Sequence, residues 1–328
     1  MMKTGTSKQV RDLLESSWAQ KTKVGYKTQL NKWKVYCQSH NIDPHQASYD
    51  EAVEFLGELF TQGANYSTVA TARSALSAVL PQRMGITFGQ YPLTTRVLKG
   101  VFKQRPSLPK HTGIYDTNII LDYMKVLPEN KLLSLELLTL KLVTLLCLLS
   151  GQRAQTLPCL SLKHMIMGTG QVTFHIRDLL KTSRPTFHQL PLIFKMFPAN
   201  RDLCPISCLE TYLEMTKSFR LLEDGIDRTQ LILSFAGNHN PVKSATIARY
   251  IKSFLGKAGV DITVFTAHSV RKASTSKGNN MGLSVKDIAK AAGWSGESTF
   301  QRFYNLPIVV NLGSEILQSN VSGTTMDV

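Results

Sequence analysis

The chain has 328 residues, 43% of them apolar, and a formal net charge of +15. That length exceeds the usual single domain and that apolar share fills a real core, so two folded domains are expected. The excess of Lys and Arg runs through both halves and predicts a polyanionic partner, because phosphate contacts release condensed counterions.

No apolar stretch reaches the roughly 20 residues of a membrane helix. The richest, Leu132 to Leu149, is interrupted by Glu136 and Lys141 and reads as a buried helix. Met1 to Gln20 lacks an apolar h-region, so no export signal is expected. Five cysteines then read as reduced core thiols. Cys204 and Cys208, with His188 and His239 as the nearest histidines, make a poor zinc pattern, and neither a metal nor another cofactor is expected.

The first third reads as a helical bundle. Tyr26, Leu30, Trp33 and Cys37 repeat at helical spacing, with Lys23, Lys27, Lys32 and Lys34 assigned to the opposite surface. Ser48 and Glu51 have capping-box spacing ahead of Val53, Leu56, Leu59 and Phe60. Ser67 is expected to start a helix bearing Val69, Ala72, Leu76, Val79 and Leu80. A short helix follows with Val97, Leu98, Val101 and Phe102 among Arg96, Lys99, Lys103 and Arg105. Residues 1–104 are thus expected to form one domain, and the Pro-containing stretch 105–113 a linker.

Beyond it the pattern is mixed. A Leu-rich helix from Ser134 ends at Gly151, directly before Arg153. Met165 to Met167 and Gln171 to Ile176 flank Gly168-Thr-Gly170 as a hairpin, with a third strand over Phe187 to Phe194 and Lys181 in the turn between them. Leu231 to Phe235 reads as a short strand or a buried extended segment. Helices are expected over Ser244 to Ala258, Ala267 to Met281, Ser284 to Ala292 and around Phe300 to Tyr304. The fold class is therefore mainly α with a small antiparallel sheet. Residues 114–312 form the second domain, followed by a tail, 313–328.

His268 and Arg271 lie three apart on one helix face, able to present a donor and a fixed cation to one phosphate. Ala292-Gly-Trp-Ser-Gly296 follows, then Ser298-Thr-Phe-Gln-Arg-Phe-Tyr304. Each residue also has a plain structural reading. Arg153 can cap a helix, Trp294 can anchor a core, and Tyr304 can be a helix-face aromatic. Lys163, Lys195 and Arg177 compete with Lys181.

Taken in order, Arg153, Lys181, His268, Arg271, Trp294 and Tyr304 resemble the catalytic pattern of the tyrosine recombinases over about residues 114–310. The helical first third is similar to that family's core-binding (SAM-like) domain. The wording of Ala-His-Ser-Val-Arg-Lys-Ala-Ser and of Gly-Trp-Ser through Phe-Tyr-Asn is similar to recombinases of eukaryotic mobile elements of the DIRS, Ngaro and Crypton type. The resemblance implies nucleophilic attack by Tyr304, phosphate clamping by Arg153 and Arg271, leaving-group protonation by Lys181, and proton handling or phosphate bracing by His268. Trp294 would donate its indole N–H to a phosphate oxygen.

The resemblance further implies a two-domain clamp on double-stranded DNA, a dimer on one site and a tetramer in synapsis, and a nuclear location; the tail, with Ile316 and Leu317, is expected either to dock on a neighbouring protomer or to be a frayed end. Lys23, Lys27, Lys32, Lys34, Arg96, Lys99 and Lys103 are the candidate backbone contacts. Two departures stand out. Thr156 occupies a position often acidic in the family, with Gln155 or Thr156 as the expected substitute. The Trp294–Tyr304 gap is one residue longer than the commonest bacterial spacing. A domesticated DNA-binding protein without cleavage activity and a type IB topoisomerase remain the alternatives.

Overall fold

The computed structural model describes residues 7–106, 113–185, 189–222, 224–294 and 300. The chain divides into two compact units between residues 109 and 110.

The first unit is helical: α1 (Lys8–Ser16), α2 (Gln20–Ser39), α3 (Tyr49–Thr61), α4 (Tyr66–Val79) and α5 (Pro92–Gln104). The Ser48 capping box forms as its spacing predicts, with the Glu51 carboxylate accepting from the Ser48 N–H at 2.7 Å. α4 begins one residue before Ser67, because the Asn65 side chain caps it by accepting from the Thr68 N–H at 2.9 Å. α5 is longer than expected and opens on Pro92, whose missing N–H costs nothing in a first turn. Trp33, Phe55, Leu56, Leu76 and Phe88 fill the core.

Two details differ from expectation. The buried side of α2 carries Gln29, Trp33, Tyr36 and Cys37. At about 100° per residue, Lys23, Lys27 and Lys34 share one flank of that side, whereas Lys32 lies about 180° from Lys23. The four lysines therefore straddle the helix and do not form one face. Arg105, assigned to a linker, belongs to the first unit's packing. Its guanidinium donates to the Ala64 carbonyl at 2.7 Å and lies 4.3 Å over the Phe60 ring.

The second unit contains α6 (Thr117–Val126), α7 (Leu135–Ser150), β1 (Met165–Gly168), β2 (Gln171–Phe174), β3 (Leu192–Lys195), α8 (Pro205–Arg220), α9 (Ser244–Lys257), α10 (Ala267–Asn280) and α11 (Val285–Ala291). The sheet is antiparallel in the order β1-β2-β3, with Met165 opposite Phe174 and Phe174 opposite Leu192. Val172, Phe174, Leu192 and Phe194 turn into the core, as strand alternation requires.

α7 is apolar all round because α8, α9, α10 and β3 pack against it, and residues 138–148 are all buried. Even Lys141 is enclosed there, its Nζ donating to Asn130 Oδ1 at 2.9 Å. β3 is shorter than the expected third strand. Pro191 has no N–H to give a ladder, so pairing starts at Leu192, and Phe187 lies outside the described residues. Leu231 to Phe235 is an extended segment, buried over Leu231 to Leu233, that forms no named strand; the Leu231 N–H donates to the Leu160 carbonyl at 2.7 Å and Leu233 bridges Pro241. All five cysteines are free thiols, four of them buried. No group of three metal-ligating side chains occurs among the described residues, and no described helix is long and apolar enough to cross a membrane.

Candidate active site

The site is assembled where α7 ends. Gly151 takes a left-handed conformation (φ 60°), and its N–H closes the helix on the Cys147 carbonyl at 3.0 Å. The turn that follows, carrying half-buried Arg153, lies tightly on α10. A Cβ at residue 151 would come within 3.1 Å of Thr275 Cγ2 and 3.7 Å of Ala292 Cβ. Ser274 of α10 donates its hydroxyl to the Leu148 carbonyl in the last turn of α7. The Arg153 backbone carbonyl accepts from the Thr156 N–H at 2.8 Å, which fixes the turn internally.

α10 supplies two of the expected residues from its first turns. The Ser269 hydroxyl accepts from the Thr266 N–H at 3.1 Å and fixes the start of the helix. His268 keeps its outer edge in solvent. Arg271, one turn on, is only 1% exposed, and its guanidinium sits 4.4 Å over the ring of Trp294. Trp294 is held by the end of α11: Gly293 adopts φ 68°, its N–H bonds to Lys290, and the Trp294 N–H reaches back to the Ala289 carbonyl at 2.9 Å. This Schellman closure needs a residue tolerant of positive φ, which explains glycine there. The ring packs with Ile288, Ala289, Ala292 and Phe300, so Trp294 is both a core anchor and a platform for a buried cation.

The electrostatics at His268 link these elements. Its imidazole is pushed down to about 4, first by partial burial, then by the positive charges of Arg271, Lys272, Arg153 and Lys181. Residues separated by more than a hundred positions in sequence therefore act on one ring. Lys181 lies in the β2–β3 connection, where the Leu180 carbonyl accepts from the Ser183 N–H at 2.9 Å. Arg177 shares that connection, but the other two competitors stand elsewhere. Lys163 pairs with Asp227 at 2.7 Å, and Lys195 is opposite Gln171 at the end of β3. The assembled group is a basic surface with one imidazole held neutral, suited to gripping a phosphate and accepting a proton.

Tyr304 lies outside the described residues, as do the tail 313–328 and the 295–298 loop assigned to absorb the longer spacing. Phe300, four residues before Tyr304, is buried against Trp294 with ring centroids 5.9 Å apart. Arg96, Lys99 and Lys103 are exposed along one stripe of α5, opposite its buried Thr94, Leu98 and Val101. Lys27, Lys32 and Lys34 are exposed and Lys23 is half-buried.

Two residues escaped the sequence reading. Lys272 adds its charge to His268, and its position directly after Arg271 was the available signal. Gln152 is buried beside Arg153. It takes the Thr156 hydroxyl on its Oε1 at 3.2 Å and donates from Nε2 to the Ala291 carbonyl at 2.8 Å. The site of the usual acid thus holds a neutral pair, Thr156 with Gln152.

Residues 127–307, more than half of the chain, match the model of the phage integrase family, and residues 10–81 match the phage integrase N-terminal SAM-like domain. The chain belongs to the phage integrase family. Solved structures of tyrosine recombinases share the integrase fold. The Tn1549 transposon integrase in complex with transposon right end DNA is 14% identical over 96% of this chain and 98% of that one, with a TM-score of 0.58. XerH site-specific recombinase bound to difH is 14% identical, covering 82% of this chain and 69% of that one, at a TM-score of 0.52. A lambda integrase dimer bound to a COC′ core site is 15% identical, covering 98% and 77%, at 0.50. Comparison with curated proteins returned no match. The mainly helical integrase fold with its small sheet and SAM-like N-terminal domain is the fold class the sequence predicted.

Proposed function

We propose that this integrase is the site-specific recombinase of a eukaryotic mobile element of the DIRS, Ngaro or Crypton type, cutting and resealing double-stranded DNA through Tyr304. What supports the reading is the packing of the turn that carries Arg153 against α10, the helix of His268 and Arg271, with Arg271 stacked over Trp294. Arg153 and Arg271 grip the non-bridging oxygens of the scissile phosphate, where negative charge grows during attack. Tyr304 attacks phosphorus, the bond to the 5′ oxygen breaks, and the DNA 3′ end is held as a phosphotyrosine. Lys181 protonates the departing 5′ oxygen.

A phenol of pKa about 10 needs help to ionise. His268, held neutral at physiological pH first by partial burial and then by its cationic neighbours, is in the form that accepts that proton. One phosphodiester is exchanged for another, so resealing needs neither ATP nor metal. Lys23, Lys27, Lys32, Lys34, Arg96, Lys99 and Lys103 supply backbone contacts from the first unit. Duplex DNA as partner and a dimer on one site agree with the DNA-bound XerH and the DNA-bound lambda integrase dimer, and a tetramer in synapsis is part of the same proposal. The workplace of such an enzyme is the nucleus.

A nicked suicide substrate built from element termini tests this. A covalent protein–DNA adduct forms with the native chain in EDTA and without ATP, and none forms with Tyr304→Phe. Absence of any adduct on bound substrate leaves a domesticated DNA-binding protein. Relaxation of plasmid by monomers with no strand exchange indicates a topoisomerase.

A further inference from the structure

Gln152 is buried at 3% exposure and bonds two parts of the second unit that are 139 residues apart. On one side it belongs to the turn that carries Arg153. On the other, its Nε2 donates at 2.8 Å to Ala291, the last residue of α11, whose carbonyl is one of the acceptors that a helix end leaves open. Three residues beyond Ala291 stands Trp294, the platform under Arg271. The remaining polar atom of Gln152 is also used, by the Thr156 hydroxyl at 3.2 Å. Thr156 is itself 2% exposed. A primary amide whose nitrogen and oxygen are both engaged in a buried place has its orientation fixed.

We infer that Gln152 is a positioning residue that ties the location of Arg153 to that of the Arg271–Trp294 stack, so that the two guanidiniums are set as one unit. A carboxylate in this place cannot do the same, because an acceptor-only group cannot bond the Ala291 carbonyl. The neutral Thr156 is the matching partner, since its hydroxyl satisfies the Gln152 oxygen without adding charge next to Arg153. Gly151 and Ser274 hold the same junction by direct packing, so the fold does not hang on Gln152 alone.

The inference rests on the proposed cleavage for its kinetic consequence but not for its structural one, and the test reads both. The chain holds three tryptophans, so labelling with 5-fluorotryptophan gives three fluorine resonances, of which Trp294→Phe identifies one. In Gln152→Leu, the Trp294 resonance moves while those of Trp18 and Trp33 stay in place, with the fold checked by circular dichroism. Gln152→Glu keeps the acceptor for Thr156 and loses the donor to Ala291, and it moves the same resonance if the long-range bond is the important one. On a suicide substrate both variants bind DNA as tightly as the native chain, and single-turnover cleavage slows by about 10- to 100-fold, the scale of a small misplacement of a reacting group.

An unmoved Trp294 resonance with unchanged cleavage in both variants overturns the inference. So does a loss of DNA affinity and cleavage in equal measure. If the native chain gives no cleavage at all, the proposed function fails while the fluorine measurement still decides the role of Gln152.

Discussion

The field at His268 can be measured without any DNA. The ordinary imidazole value is 6.5, and here it is pushed to about 4. At pH 5.5 an ordinary histidine is about nine-tenths protonated, whereas one titrating near 4 is about 3% protonated. Heteronuclear NMR of ring-labelled histidine, with His268→Asn to assign the signal, reads that fraction directly. Neutralising the cations should raise the value in the order of their influence: Arg271→Gln most, Arg153→Gln less and Lys181→Gln least. Raising salt toward 1 M, where the screening length falls to about 3 Å, should raise it too, because the ring edge reaches solvent. The sign of the linkage follows. As pH falls from 6.5 toward about 4, the unfolded chain takes up a proton that the folded chain refuses, so stability is lost across that window and is unaffected above it. A His268 that titrates near 6.5 and ignores Lys181→Gln would refute the convergence of these side chains.

Trp294→Ala removes the platform under Arg271. A desolvated cation–π interaction is worth about 2 kcal/mol, which slows single-turnover cleavage about 30-fold if all of it acts in the transition state, while Trp294→Phe should slow it much less. Equal rates for both variants would contradict a platform role. Burial holds the Lys141 ammonium below its ordinary 10.5, so at high pH the unfolded chain binds the extra proton and stability rises with pH below that value. Lys141→Met should abolish that rise in urea midpoints taken between pH 7 and 9.5, and a native slope that survives the substitution would show the account of Lys141 to be wrong. Replacing Arg96, Lys99 and Lys103 by Gln should flatten the dependence of log K on log salt by about 0.9 for each phosphate no longer neutralised, with melting temperature unchanged. An unchanged slope would remove the α5 stripe from the DNA interface.

Much of this molecule was legible because its signals are local. The Ser48–Glu51 box, the Ser134 and Gly151 caps of α7, and the His268–Arg271 spacing each depend on residues within a turn or two of one another. Misreadings arise where geometry accumulates. Lys32 is two and a half turns from Lys23 and so falls on the other flank of α2, and Pro191 delays β3. No helix is expected from sequence at α1, α6 or α8. In α8 the pair Cys204 and Cys208 poses a metal question, although Pro205 at its first turn and the buried run Ile206, Cys208, Leu209 and Tyr212 mark a helix. The bond from Gln152 to Ala291 has no local signature, since a residue pattern encodes which face is buried but not which distant carbonyl will meet it.

The claim on which all the chemistry depends is that Tyr304 becomes joined to DNA. Trapping the native chain on a suicide substrate, digesting both polymers and sequencing the nucleotide-bearing peptide by mass spectrometry tests it most directly. The expected result is a 3′-linked nucleotide on Tyr304 alone, with a free 5′-hydroxyl on the released strand. A nucleotide on any other side chain, or a cut strand bearing a 5′-phosphate, would contradict it.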